Sequence, residues 1–186
     1  HFGSISLLLE PGASTLEALM CREAGRRIIS LDPNVRPTLI PDRAAYQKRF
    51  ESWLRAVDIL RLSLADLEWL YPDAKPQALI DGWLKNGVSL CLLTLGADGA
   101  LGTTHHGLTA SVPTPKVKVA DTVGAGDTFL AAALAYLHAH GYLAGREALR
   151  GLDSARLNAC LAYAAKAAAI NCSRPGANPP YLFEMG

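Results

Sequence analysis

The chain has 186 residues, half of them hydrophobic and 19% charged, the balance and length of a single globular domain. Its net charge is +1 with no block of one sign, so the charge pattern gives no case for a nucleic acid or membrane partner. The apolar runs are too short to span a bilayer, and the cysteines (Cys21, Cys91, Cys160, Cys172) form no C-x-x-C pair and read as reduced thiols of a cytoplasmic protein.

In chain order, residues 5–9 form an apolar run that predicts a strand, and Pro11-Gly12 turns the chain. Ser14-Thr15-Leu16-Glu17 fits a capping box at the start of a helix that ends near Gly25. Residues 26–31 predict a second strand. It runs into Asp32-Pro33-Asn34-Val35-Arg36-Pro37, a loop stiffened by two prolines. In open α/β sheets ligands bind beyond the carboxyl ends of strands. An Asp, an Asn and an Arg fixed there suit a polar or phosphorylated ligand, and suit equally an Asx-type turn with Arg36 in solvent.

Residues 42–56 predict a helix with Tyr46, Phe50, Trp53 and Leu54 on its apolar face, and residues 58–62 a third strand. Ser63-Leu64-Ala65-Asp66 opens a short helix as a capping-box variant, which Pro72 ends. Residues 77–86 predict a helix closed by Gly87. Residues 90–95 are apolar on both faces, as a buried parallel strand would be. Gly96-Ala97-Asp98-Gly99 turns at its end, and residues 101–104 and 108–112 read as a hairpin around His105-His106-Gly107. Those two histidines are read as a solvated turn rather than metal ligands.

A short strand over residues 117–119 leads into Asp121-Thr122-Val123-Gly124-Ala125-Gly126-Asp127-Thr128-Phe129, followed by an Ala/Leu-rich helix over residues 128–140. Glycines at a helix start allow a large anion to approach amides that have no partner inside the helix, where the dipole is positive. The acid at Asp127 would repel that anion unless it has a task, and the fitting task is to take a proton from a hydroxyl attacking a phosphate. The alternative is an ordinary acid in a first turn. An alanine-rich helix over residues 153–171 follows. It is broken at Ser173-Arg174-Pro175-Gly176-Ala177, which by itself is a Pro-Gly helix stop.

Residues 121–129 resemble the C-terminal signature of the ribokinase/PfkB carbohydrate kinases. The resemblance implies a ribokinase-like α/β fold, an open, mostly parallel sheet with helices on both faces. It makes residues 1–186 the C-terminal, ATP-binding portion of one kinase domain, without the family's N-terminal strands and lid. It implies Asp127 as catalytic base and Gly124, Ala125 and Gly126 as the anion hole. The Asp-Pro-Asn-x-Arg loop is similar to that of fructokinase-like and ketodeoxygluconate-kinase-like members, which implies that Asn34 and Arg36 face the sugar and the transferred phosphate.

Thr94, Gly96 and Gly99 resemble the nucleotide loop, and Asn171 and Gly176 the adenine side. Asp66 stands where the family has a glutamate that places Mg2+ through water, and Ser63 replaces that motif's Asn. Asp121 is placed near a monovalent cation such as K+. The expected function is ATP- and Mg2+-dependent phosphorylation of a sugar, fructose first. 2-Keto-3-deoxygluconate, a nucleoside, or non-catalytic binding of a nucleotide or sugar are the alternatives. The resemblance also implies a homodimer formed through the lid portion.

Overall fold

The structure is a computed structural model that describes all residues from His1 to Gly186. Six strands form one sheet in the order in which they occur: β1 (Phe2–Gly3), β2 (Ser30–Asp32), β3 (Ile59–Ser63), β4 (Leu90–Thr94), β5 (Ala100–Thr104) and β6 (Thr109–Val112). β1 to β4 are parallel, and β5 and β6 continue the sheet antiparallel. At the centre Ile59 lies opposite Leu90 and Ser63 opposite Thr94. Both central strands are buried on both faces and apolar apart from Arg61 and their last residues, because a parallel strand is covered on each side.

Strand order and handedness decide where the helices go. Parallel strands added in one direction with right-handed crossovers put every connecting helix on the same face. Those helices are α1 (Gly12–Glu23), α2 (Arg43–Trp53), α3 (Leu64–Leu70) and α4 (Pro76–Lys85). They share one core cluster with Leu60, Leu62, Cys91 and Leu93. The opposite face, carrying Ile59, Leu90 and Leu92, is covered by α5 (Ala125–Ala139), α6 (Arg146–Arg150) and α7 (Ser154–Cys172). α7 lies so close to β5 that a Cβ on Gly102 would stand 2.9 Å from Leu157 Cδ1.

Several local expectations shift. The first strand is Phe2–Gly3, and the apolar run after it forms a 3-10 turn over Ser4–Leu7. Ile5 and Leu9 in that run are exposed, so it was never a strand buried on two faces. α1 starts at Gly12, ahead of the expected capping box. The Ser14 amide donates to Glu10, while Glu17 reaches across to Arg49 and Trp53 on α2. Residues 117–119 join no ladder. The five-residue α6 and a 3-10 turn over Leu182–Met185 are additional to the expected elements.

Candidate active site

The site forms where α5 begins. α2 and α7 start with aspartates, Asp42 and Asp153, that accept a hydrogen bond from a first-turn amide. α5 starts instead at Gly124, in the left-handed region with φ 74°, and no side chain caps it. A Cβ on Gly124 would also lie 2.9 Å from the Ala177 Cβ, so the position calls for glycine on two counts. The Ala125 amide donates to the Thr122 carbonyl and the Thr128 amide to the Gly124 carbonyl. The amides of Gly126 and Asp127 between them have no acceptor in the chain. Two free donors at the positive end of a 15-residue helix are an arrangement suited to an anion.

Two clefts meet at this turn. The larger, of about 550 Å³, runs from Thr94, Gly96 and Gly99 at the end of β4 to Gly126 and the α7 residues Ala168 and Cys172. Val117 and Val119 form part of its wall, so the β-branched residues expected to be a strand line a cavity instead. Thr114 holds that wall by donating to the Gly96 carbonyl at 2.7 Å. The smaller cleft, of about 230 Å³, is lined by Gly3, Asp32, Asn34 and Asp127, among others. Consecutive residues of one helical turn thus face different cavities, Gly126 the larger and Asp127 the smaller.

The loops around the turn are pinned by side chains that line neither cleft. Asn171 is fully buried. Its amide donates to the Val123 carbonyl and its carbonyl oxygen accepts from the Asn178 amide, both at 2.8 Å. Asp121 accepts from the amides of Val123 at 3.0 Å and Gly176 at 2.9 Å. These backbone hydrogen bonds, that from Val123 first, hold the Asp121 carboxyl below the usual carboxylate range. The Cys172 carbonyl at the end of α7 accepts from both Ala120 and Asp121. Burial pushes the Cys172 thiol up, with the Asp121 charge adding to it.

Asn34, with φ 40°, reaches the smaller cleft directly. Arg36 is exposed and folds back to donate to Asn34 Oδ1 and to the carbonyls of Asn34 and Val35. Asp66 is buried with both oxygens engaged. Oδ1 accepts from the Val35 amide at 2.8 Å, and Oδ2 from the Ser63 amide and hydroxyl. The expected capping box is therefore present, and the same carboxylate fixes the loop that carries Asn34. Of the residues expected at the site, Thr94, Gly96, Gly99, Ala125 and Gly126 line the larger cleft and Asn34 and Asp127 the smaller. Asp66, Asp121, Asn171 and Gly176 make loop-fixing contacts, and Gly124 is the hinge of the turn.

Arg61 was not among the expected site residues. It stands mid-strand on β3 with 6% exposure, donating to Asp32 Oδ2 at 2.7 Å and to Thr94 Oγ1 at 2.6 Å. Burial pushes the Asp32 carboxyl up, and Arg61 beside it opposes that shift. The signal was in the sequence, because a charge inside the apolar run Ile59-Leu60-Arg61-Leu62 has no place in a buried strand without a partner.

A sequence profile described as pfkB family carbohydrate kinase matches residues 3–182. A fructokinase of Rhizobium leguminosarum bv. trifolii is 44% identical over 147 residues, covering 79% of this chain and 45% of that protein. Among solved structures, a fructokinase with bound ATP from Xylella fastidiosa superposes with a TM-score of 0.83 at 27% identity, over 94% of this chain and 55% of that one. An aminoimidazole riboside kinase from Salmonella enterica, complexed with aminoimidazole riboside and an ATP analogue, gives a TM-score of 0.74 at 28% identity, over 95% and 56%. The chain spans about half the length of these relatives.

Proposed function

The chain belongs to the pfkB family of carbohydrate kinases, and from that premise we propose that it carries the ATP-binding and catalytic-base portion of a sugar kinase acting first on fructose. The observation that carries this reading is the meeting of the two clefts at one helical turn. Gly126 borders the larger cavity, of about 550 Å³, and Asp127 borders the smaller polar one. The nucleotide lies along Thr94, Gly96 and Gly99, with its base toward the apolar wall and the alanines of α7. Its terminal phosphate sits on the Gly126 and Asp127 amides, at the positive end of α5. A sugar hydroxyl in the smaller cleft then attacks in line, and Asp127 takes its proton. The two amides stabilise charge on the transferring group. Asn34 orients the sugar, and Arg36 acts through its contact with Asn34.

No three His, Cys, Asp or Glu side chains come together as a cation cage, and both Asp66 oxygens are already engaged. The side chains of this chain do not fit a directly seated metal. Mg2+ would enter as the counter-ion of the nucleotide phosphates. Asp121 ties the two loops together through its two amide hydrogen bonds, and a monovalent cation such as K+ would lie beside it. The test is ADP release by the natural-length protein with ATP and a panel of fructose, 2-keto-3-deoxygluconate and aminoimidazole riboside. Fructose is expected to give the highest kcat/KM. Turnover with none of the three would overturn the reading.

A further inference from the structure

Arg61 raises a question that the proposed chemistry leaves open. A buried ion pair is weak evidence of a stability role, since apolar residues of similar volume often do as well or better. This pair also lies in a particular place. Asp32 lines the smaller cleft and Arg61 the larger, so their 2.7 Å contact crosses the wall between them. The guanidinium lies against the first turn of α5. A Cβ on Gly126 would come within 2.6 Å of Nη1, 2.8 Å of Nη2 and 3.0 Å of Cζ. The absence of a side chain at Gly126 is what admits the guanidinium.

Its donors are under-used. A guanidinium has five N–H groups, and here one goes to Asp32 and one to Thr94, while Nε has no acceptor. Beside it, the Gly126 and Asp127 amides have none either. The first turn of α5 contains an acid and no basic residue. An anion on those amides would meet the Asp127 charge with only a helix dipole to offset it. The guanidinium beside Gly126 supplies the missing positive charge from a neighbouring strand, in the planar, multiply donating form that suits phosphate oxygens.

Resting on the sugar-kinase reading for the identity of the anion, we propose that Arg61 is the cation of this site. It contacts the phosphoryl group held by the Gly126 and Asp127 amides, and Asp32 holds it in place from the sugar side. Asp32 is then a positioning residue, and the pair links the two clefts, since whatever moves Asp32 in one moves the phosphate ligand in the other.

The test measures AMP, ADP and ATP binding by calorimetry, and fructose turnover, on the natural-length protein and its Arg61→Gln and Arg61→Lys variants. Asp32→Asn/Arg61→Gln is added, because it leaves no lone buried charge and carries the comparison if the single variant does not fold. Loss of hydrogen bonds to a charged group predicts ATP affinity about 10- to 100-fold weaker in Arg61→Gln, with AMP affinity unchanged. Arg61→Lys recovers part of the loss and the double variant none. Equal weakening for AMP and ATP, or no weakening, overturns the proposal. Selective loss of ATP affinity in a protein that phosphorylates no sugar keeps Arg61 as the phosphate cation and overturns the functional reading. Full fructose turnover by Arg61→Gln does the reverse.

Discussion

Asn171→Ala tests whether the turn at Gly124 is held from behind. Asn171 is fully buried, and its side chain makes one hydrogen bond to each of the two loops. Truncation removes both. The loop residues at the far ends of these bonds, Val123 and Asn178, are exposed, so water replaces part of what is lost. Each bond then contributes at its net value of about 1 kcal/mol rather than at the larger penalty for a buried unpaired group. The sum is about 2 kcal/mol. For a chain of this size about 1 kcal/mol moves the midpoint by roughly 2–4 °C, so the expected fall in Tm is about 4–8 °C.

The functional part of the same prediction is sharper. With Val123 released, Gly124 is no longer fixed, and ATP binding should weaken together with stability. Asn171→Asp separates the two bonds, since it keeps the acceptor for the Asn178 amide and replaces the donor to Val123 with an acceptor. It should be at least as damaging as alanine. Thermal unfolding and calorimetric ATP titration of the three proteins provide the measurement. An Asn171→Ala protein with unchanged Tm and unchanged ATP affinity would refute the argument that this side chain holds the anion turn.

Other outcomes follow from the same geometry. Asp127→Asn keeps shape and loses the base, so kcat should fall by at least about a hundredfold while Tm and ATP affinity hold, as turnover assays and melting curves on one preparation would show. Gly124→Ala places a Cβ in the left-handed region, which costs about 1–2 kcal/mol, and drives it against Ala177; denaturant unfolding should show at least that loss. Asp121 has a folded pKa below its ordinary 3.8. Its loop contacts therefore stabilise the fold fully above that value and fade as pH falls through the depressed one. Asp121→Asn should accordingly flatten the acid limb of the stability–pH curve below about pH 4 and leave the neutral region's pH dependence unchanged.

How much the sequence revealed depended on whether a residue's task showed in its own neighbourhood. The apolar runs of β3 and β4 and the glycines at the start of α5 carry local signals, and they emerged as a central strand pair and an uncapped helix start with a left-handed Gly124. The run after Gly3 misled because apolar character alone cannot separate a strand from a turn. What marks β1 is the contact of Gly3 with β2, where a Cβ would lie 2.3 Å from the Asp32 carbonyl, and that is a long-range fact. Val117 and Val119 carry strand-forming side chains but line a cavity, because Thr114 and the Cys172 carbonyl fix the segment off the sheet. Five residues of α6 are too few to show helical periodicity. Asp66 and Asn171 stood out in the sequence as site candidates, yet the partner each side chain meets depends on loops that come together only in the fold. Arg61 was visible as a charge in an apolar strand, but its neighbours Asp32, Thr94 and Gly126 are brought to it by three other elements.

The most direct test of the central claim is a crystal structure of the natural-length protein with fructose, ADP and a planar metal-fluoride mimic of the transferring phosphoryl group. The account predicts the mimic on the Gly126 and Asp127 amides, with an Asp127 carboxylate oxygen within about 2.6–3.2 Å of the attacking sugar hydroxyl. A mimic bound away from the start of α5, or a sugar with no hydroxyl near Asp127, would contradict it.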